Sequence, residues 1–191
     1  MPGLPNILSF FRIAAIPFLV YYLSTEGPSH ALIALCIFFV ASLTDYLDGY
    51  VARKHGETTI LGTFLDPLAD KLLVMAVLIT LAGGVSASRL PAWMVVLIVG
   101  REMAVTGLRS VAAGEGLILP ADRLGKLKTL LQLLALHALI LGDHFDFFNF
   151  HPLGIYVLWL ALVLGLWSGV TYYRKVASHL RSAHLTRRPR E

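Results

Sequence analysis

Long apolar segments alternate with short polar segments along the chain, and this pattern predicts six membrane-spanning helices. The expected helices cover residues 7–24, 30–54, 61–81, 92–113, 122–141 and 152–179. Most of these segments approach or exceed the roughly 20 residues that an α-helix needs to cross a bilayer. Glycine and proline interrupt the pattern at residues 26–29, 83–84 and 114–116. We therefore expect an all-α integral membrane protein, with one six-helix domain at residues 1–184 and a basic tail at 185–191.

The composition favours the same class of protein. Hydrophobic residues make up 57% of the 191 residues, charged residues make up only 15%, and the mean hydropathy is +0.71. Soluble domains usually carry about 25% charged residues. A soluble globular domain is therefore excluded as an explanation of the apolar segments.

The positions of the basic residues predict the orientation of the chain. A net charge of +4 would by itself also suit a protein that binds nucleic acid. However, Lys and Arg concentrate at one set of helix ends, which includes Arg53, Lys54, Arg123 and Arg174. Cytoplasmic loops are enriched in these residues. We expect a multi-pass protein of the cell (inner) membrane with both termini in the cytoplasm, in contact with the lipid bilayer and not with nucleic acid.

Four aspartates lie where the second and third helices meet at the predicted cytoplasmic edge. Asp45 and Asp48 are three residues apart, and Asp66 and Asp70 are four apart, so each pair lies on one face of its helix. Four close carboxylates repel one another unless cations neutralise them. Oxygen ligands suit hard cations such as Mg²⁺ or Mn²⁺, and two such ions can clamp a phosphoryl group. The spacing predicts a two-metal site.

Small residues between the aspartates leave room for a ligand. Gly49, Ala52 and Gly62 carry little or no side chain, so a phosphate-containing ligand can approach the helix backbones. Arg53 can bind a phosphate with its two-pronged guanidinium. The alternative is that the aspartates cap helix ends or pair with nearby cations such as Lys54.

The pattern Asp-x2-Asp-Gly-x2-Ala-Arg-x8-Gly-x3-Asp-x3-Asp at residues 45–70 resembles the motif of the CDP-alcohol phosphatidyltransferases. The resemblance implies the six-helix CDP-alcohol phosphotransferase fold and an enzyme that displaces CMP from a CDP-linked lipid with an alcohol. It implies two divalent cations held by Asp45, Asp48, Asp66 and Asp70, and it makes Asp70 the general base as well. The CDP-lipid would be bound by the same motif, through Asp45, Asp48, Gly49, Ala52, Arg53, Gly62 and Asp66.

Cations on the fourth and fifth helices predict an anionic acceptor. Arg101 and Arg109 are about two turns apart on one helix, and Arg123, Lys126 and Lys128 open the next. A phosphorylated polyol is the natural candidate for such a pocket. Alternatively, the residues at 123–128 only fix membrane orientation, and Arg101 only neutralises its neighbour Glu102 or an active-site carboxylate.

Three segments resemble the phosphatidylglycerophosphate synthase branch of the family: Asn6-x-Leu8-Ser9-x2-Arg12, Arg101-Glu102-x4-Gly107-Leu108-Arg109 and Gly125-Lys126-x-Lys128-Thr129-x2-Gln132. That resemblance implies CDP-diacylglycerol and glycerol 3-phosphate as substrates, with phosphatidylglycerol phosphate and CMP as products. Inositol phosphate, or phosphatidylglycerol as in cardiolipin synthases, stays open as the acceptor. A cation transporter is the alternative from another class, but its acids would lie near the membrane midplane.

Two features of the sixth helix concern packing. Ala161, Gly165 and Gly169 form a small-residue stripe that favours close helix contact within the bundle, although a homodimer stays open. The candidate anchors at the membrane interface are found among Trp159, Trp167, Tyr172 and Tyr173 of this helix, together with Trp93 of the fourth helix.

Overall fold

The structure is a computed structural model of the whole chain. It describes the backbone at residues 4–55, 60–84, 90–114, 117, 123–142, 144 and 148–186. It describes side chains at residues 8–44, 68–84, 90–114, 117, 124–142, 144 and 148–178.

The described residues form six α-helices and no strand, which confirms the predicted all-α fold. The helices are α1 (Leu4–Leu23), α2 (Pro28–His55), α3 (Ile60–Ala82), α4 (Ala92–Gly114), α5 (Arg123–Leu141) and α6 (Phe150–Thr186). Glycines with positive φ follow two of the helix ends, namely Gly84 at 72° and Gly142 at 55°. Only glycine adopts this backbone conformation without a steric penalty, so these positions end α3 and α5.

The sixth helix is longer than the sequence pattern predicts. It reaches Thr186, whereas the apolar pattern suggested an end near His179. The added turns are polar and basic, so hydropathy does not detect them. Between Gly169 and Pro189 the chain has no glycine or proline, and the helix therefore continues beyond its apolar part.

One apolar core holds the bundle together. Helix α5 packs mainly on α6, α1 packs on α3 and α2, and α4 packs on α6. Every helix contributes to this core, for example through Leu19, Phe38, Leu78, Met94, Leu136 and Leu158. The approach of α5 and α6 is close at Gly154, where a Cβ atom would lie 2.6 Å from Cγ of Leu139. A side chain at that position would force the two helices apart.

The outer surface of the bundle is apolar, as expected for contact with lipid. Large hydrophobic side chains are exposed on several helices, including Phe18, Val96 and Trp167, the last at 69% exposure. A soluble monomer rarely exposes so much apolar surface. In the described residues, segments 124–141 and 150–178 are long and apolar enough to cross a membrane by composition alone. Within the same described residues, segments 8–23 and 28–44 are shorter apolar helices.

Candidate functional site

A cavity of about 530 Å³ opens where five helices meet. Its walls come from the second half of α4, the first half of α5, and parts of α2, α3 and α6. It therefore lies at the end of the bundle where α4 and α5 are joined. Five of its lining residues are cationic: Lys71, Arg101, Arg109, Lys126 and Lys128. The sequence predicted Arg101, Arg109 and Lys126 for an acceptor site, and the structure brings these three together around one cavity.

Glu102 joins two of the cations. Its Oε1 accepts a hydrogen bond from a terminal nitrogen of Arg101 at 2.8 Å and another from Nζ of Lys128. Side-chain exposure is 12% for Arg101, 7% for Lys128 and 19% for Glu102, so this is a largely buried cluster. Arg101 thus does pair with Glu102, as one of the sequence-based alternatives held. With two cations and one carboxylate, the cluster keeps a net positive charge beside the cavity.

The small-residue stripe of α6 makes room for this cluster. Nε of Arg101 donates a hydrogen bond to the carbonyl oxygen of Gly165 at 2.8 Å. A Cβ atom on Gly165 would lie 3.4 Å from Cγ of Lys128, and one on Gly169 would lie 3.6 Å from Cγ of Arg101. The stripe therefore packs within the bundle, as predicted, and it packs against the two buried cations.

A second, smaller cavity connects this region to Asp70. Asp70 lines it, and Lys71, Glu102 and Lys128 line both cavities. The Asp70 side chain is half-buried. Asp70 therefore adjoins the larger, cationic cavity, with Lys71 and Lys128 at the boundary.

Lys71 is fixed across the helix interface. Its Nζ donates a hydrogen bond to the hydroxyl of Thr106 on α4, and that hydroxyl donates to the backbone carbonyl of Glu102 at 2.7 Å. A short chain of hydrogen bonds thus links the residue next to Asp70 with the helix that carries Arg101 and Arg109.

Arg109 lies against an aromatic ring from α6. Its Cζ is 5.4 Å from the centroid of the Tyr172 ring, a cation–π distance. Tyr172 is buried at 7% exposure, whereas Tyr173 is 59% exposed. Of these two candidate anchors, Tyr172 therefore packs inside the bundle, whereas Tyr173 is on its surface.

Most of the predicted metal and CDP-lipid site falls outside the described side chains. The affected residues are Asp45, Asp48, Gly49, Ala52, Arg53, Gly62 and Asp66. The side chain of Arg123, from the predicted acceptor set, is also outside the described ones. Their backbones belong to α2, α3 and α5. Asp45 and Asp48 lie in the second half of α2 and Asp66 lies in the first half of α3, whereas Asp70 lies near the middle of α3.

Sequence reasoning gave no acceptor role to several residues that line the cationic cavity, including Ser42, Lys71, Thr106, Ser168 and Tyr172. Lys71 directly follows the predicted general base, which is a signal that could have found it. Gly165 and Gly169 marked the face of α6 that turns inward, but nothing in the sequence tied that face to the cations.

The comparisons with known proteins agree with the motif. The family model for CDP-alcohol phosphatidyltransferases matches residues 3–167, so the chain belongs to the CDP-alcohol phosphatidyltransferase family. Members of this family are membrane-embedded transferases of phospholipid biosynthesis.

The names of similar proteins indicate which branch of the family the chain resembles. The chain is 42% identical to a CDP-diacylglycerol–glycerol-3-phosphate 3-phosphatidyltransferase of Bacillus subtilis, over 96% of this chain and 100% of that protein. The enzyme of the same name from Rickettsia bellii is 38% identical over 90% of this chain and 94% of its own length. A cardiolipin synthase (CMP-forming) from Oryza sativa is 37% identical over 91% of this chain and 57% of its own length.

Proposed function

We propose that this protein transfers the phosphatidyl group of CDP-diacylglycerol to glycerol 3-phosphate, which gives phosphatidylglycerol phosphate and CMP. The observation that carries the proposal is the cationic cavity that adjoins Asp70. The names of the Bacillus and Rickettsia relatives support the same pair of substrates.

The charges of the cavity suit a phosphomonoester. Five cations line it, and Glu102 is the one carboxylate among the described lining residues. Arginine and lysine bind phosphate through charge-assisted hydrogen bonds, which are stronger than neutral ones. In this proposal Arg101, Arg109, Arg123 and Lys126 bind the acceptor phosphate, and Lys71 and Lys128 join them at the boundary with Asp70.

Binding the phosphate in this cavity directs the other end of the acceptor toward Asp70. The acceptor oxygen forms a bond to the lipid-bearing phosphorus, and the bond from that phosphorus to the CMP oxygen breaks. CMP leaves with the electron pair, and the hydroxyl proton passes to the Asp70 carboxylate. Alignment of the two substrates accounts for much of the rate in such a reaction.

The predicted aspartates also suit divalent cations. Asp70 is half-buried and lines a cavity, and carboxylate oxygens are the donors that Mg²⁺ and Mn²⁺ prefer. We assign Asp45, Asp48, Asp66 and Asp70 as the residues that would hold two such ions. When bound, the ions would supply positive charge to the diphosphate and to the leaving CMP. Gly49, Ala52, Arg53 and Gly62 complete the CDP-lipid site.

The orientation in the membrane follows from the positive charges. We assign the end of the bundle that carries the cavity, and both termini, to the cytoplasm. Nucleotide and glycerol 3-phosphate then arrive from water, while the diacylglycerol chains stay in the bilayer.

A panel of acceptors tests the proposal. Purified protein in detergent with Mg²⁺ and CDP-diacylglycerol is expected to release CMP with glycerol 3-phosphate but not with glycerol, which lacks only the phosphate. Release with inositol phosphate or phosphatidylglycerol, and not with glycerol 3-phosphate, would make the acceptor assignment wrong. Failure with every alcohol, together with cation flux through liposomes, would reject transferase activity itself.

A further inference from the structure

We propose that Tyr172 is a positioning residue of the acceptor site. Its ring holds the Arg109 guanidinium at the cavity, where the guanidinium binds the phosphate of the acceptor. This inference rests on the proposed function and adds a residue on α6 to it.

The position of the ring is fixed by packing. Tyr172 is buried and forms a small apolar cluster with Ala112 of α4 and Val176 of α6, and partly buried side chains such as Val105 and Leu108 pack against it. The ring therefore lies between α4 and α6. Arg109 is exposed, and its guanidinium lies over the ring.

Arg109 has different neighbours from three other cations of the cavity. Arg101 and Lys128 share the Glu102 carboxylate, and Lys71 binds Thr106. Among the side chains that the structure describes, no carboxylate forms an ion pair with Arg109, and its contact is the Tyr172 ring. Arg109 can therefore receive an incoming phosphate without giving up an ion pair with any of those side chains.

The ring lowers the cost of ordering Arg109. A free arginine side chain loses considerable rotamer freedom when it binds a ligand, and a preorganised one loses less. The cation–π contact leaves the guanidinium edge available to donate hydrogen bonds to phosphate oxygens. The energy typical of such a contact at an exposed arginine predicts about a two- to fivefold change in acceptor KM when the ring is removed.

Steady-state kinetics of CMP release tests this inference. Tyr172→Leu is expected to raise KM for glycerol 3-phosphate by about two- to fivefold, while KM for CDP-diacylglycerol stays unchanged. Tyr172→Phe retains the aromatic face and is expected to rescue the acceptor KM. Tyr173→Leu is the matched control, because it is the same substitution at the exposed neighbour. If Tyr172→Leu does not give folded protein, Tyr172→Met makes the same comparison with a flexible side chain that lacks a π face.

A double-variant cycle decides whether Tyr172 acts through Arg109. In an Arg109→Gln background, Tyr172→Leu is expected to leave the acceptor KM unchanged. An unchanged KM for Tyr172→Leu alone, an equal rise in KM for both substrates, or a full effect in the Arg109→Gln background would each overturn the inference. In all three cases the wild-type protein still uses glycerol 3-phosphate, so the proposed function stands. A wild-type protein that does not use glycerol 3-phosphate rejects both.

Discussion

Replacing Glu102 with glutamine should destabilise the bundle, because two buried cations would lose their shared carboxylate. The three side chains are 7–19% exposed. Removing one partner of a buried ion pair costs about 3–5 kcal/mol. Polar interactions in membrane proteins average less, about 0.6 kcal/mol, and water reaches part of this cluster. We therefore expect a loss at the lower end of the first range, about 3 kcal/mol.

The readout is the melting temperature in detergent, which is monitored by the fluorescence of the three tryptophans. For a chain of this size, about 3 kcal/mol corresponds to a fall of about 6–12 °C. Glu26→Gln is the matched control, because Glu26 is exposed outside the cluster, and its effect should stay within about 0.5 kcal/mol. Adding Lys128→Met removes the surplus cation, so the double variant should melt above Glu102→Gln. Wild-type stability for Glu102→Gln, or simple additivity in the double variant, would refute the role of the carboxylate as counter-ion.

Three further outcomes follow from the site and the packing. Thr106→Val removes the hydroxyl that accepts the hydrogen bond from Lys71, so the acceptor KM should rise by about three- to tenfold, equivalent to about 0.7–1.4 kcal/mol. Thr106→Ser keeps the hydroxyl and should stay close to wild type. An unchanged KM for Thr106→Val would exclude a role for this bond. Gly154→Ala forces a Cβ atom against Leu139 and should cost about 1–3 kcal/mol of stability, whereas Gly100→Ala, with no atom within 4 Å, should not lower the melting temperature. Chelation with EDTA should abolish CMP release, and added Mg²⁺ or Mn²⁺ should restore it. Asp70→Asn should abolish turnover yet retain CDP-lipid binding. Substantial turnover of this variant would show that Asp70 is not the base.

The sequence predicts the fold well because hydropathy and helix breakers report on local properties. Six apolar segments and the glycines between them predict the six helices. The end of α6 was missed because a helix that leaves the membrane needs no apolar residues. The motif at 45–70 likewise identifies the family before any packing is known, since it lies in one continuous stretch of sequence.

The details of the site depend on how the helices are rotated against one another. Arg101 and Glu102 are neighbours, so their pairing could be anticipated from the cost of an unpaired charge in a membrane. Lys128 reaches the same carboxylate from another helix, which no local pattern predicts. Tyr172 and Tyr173 are adjacent and alike in chemistry, but successive residues on a helix point about 100° apart. Only the packing of α6 on α4 determines that Tyr172 faces inward.

The fate of the acceptor phosphate tests the central claim most directly. Glycerol 3-phosphate labelled with ³²P is incubated with the protein, CDP-diacylglycerol and Mg²⁺, and the lipids are extracted. If the cationic cavity holds the phosphate while the hydroxyl reacts, label enters the lipid as a terminal phosphomonoester that alkaline phosphatase releases, with one CMP formed for each labelled lipid. Lipid without label despite CMP release, or label that resists the phosphatase, would contradict this account.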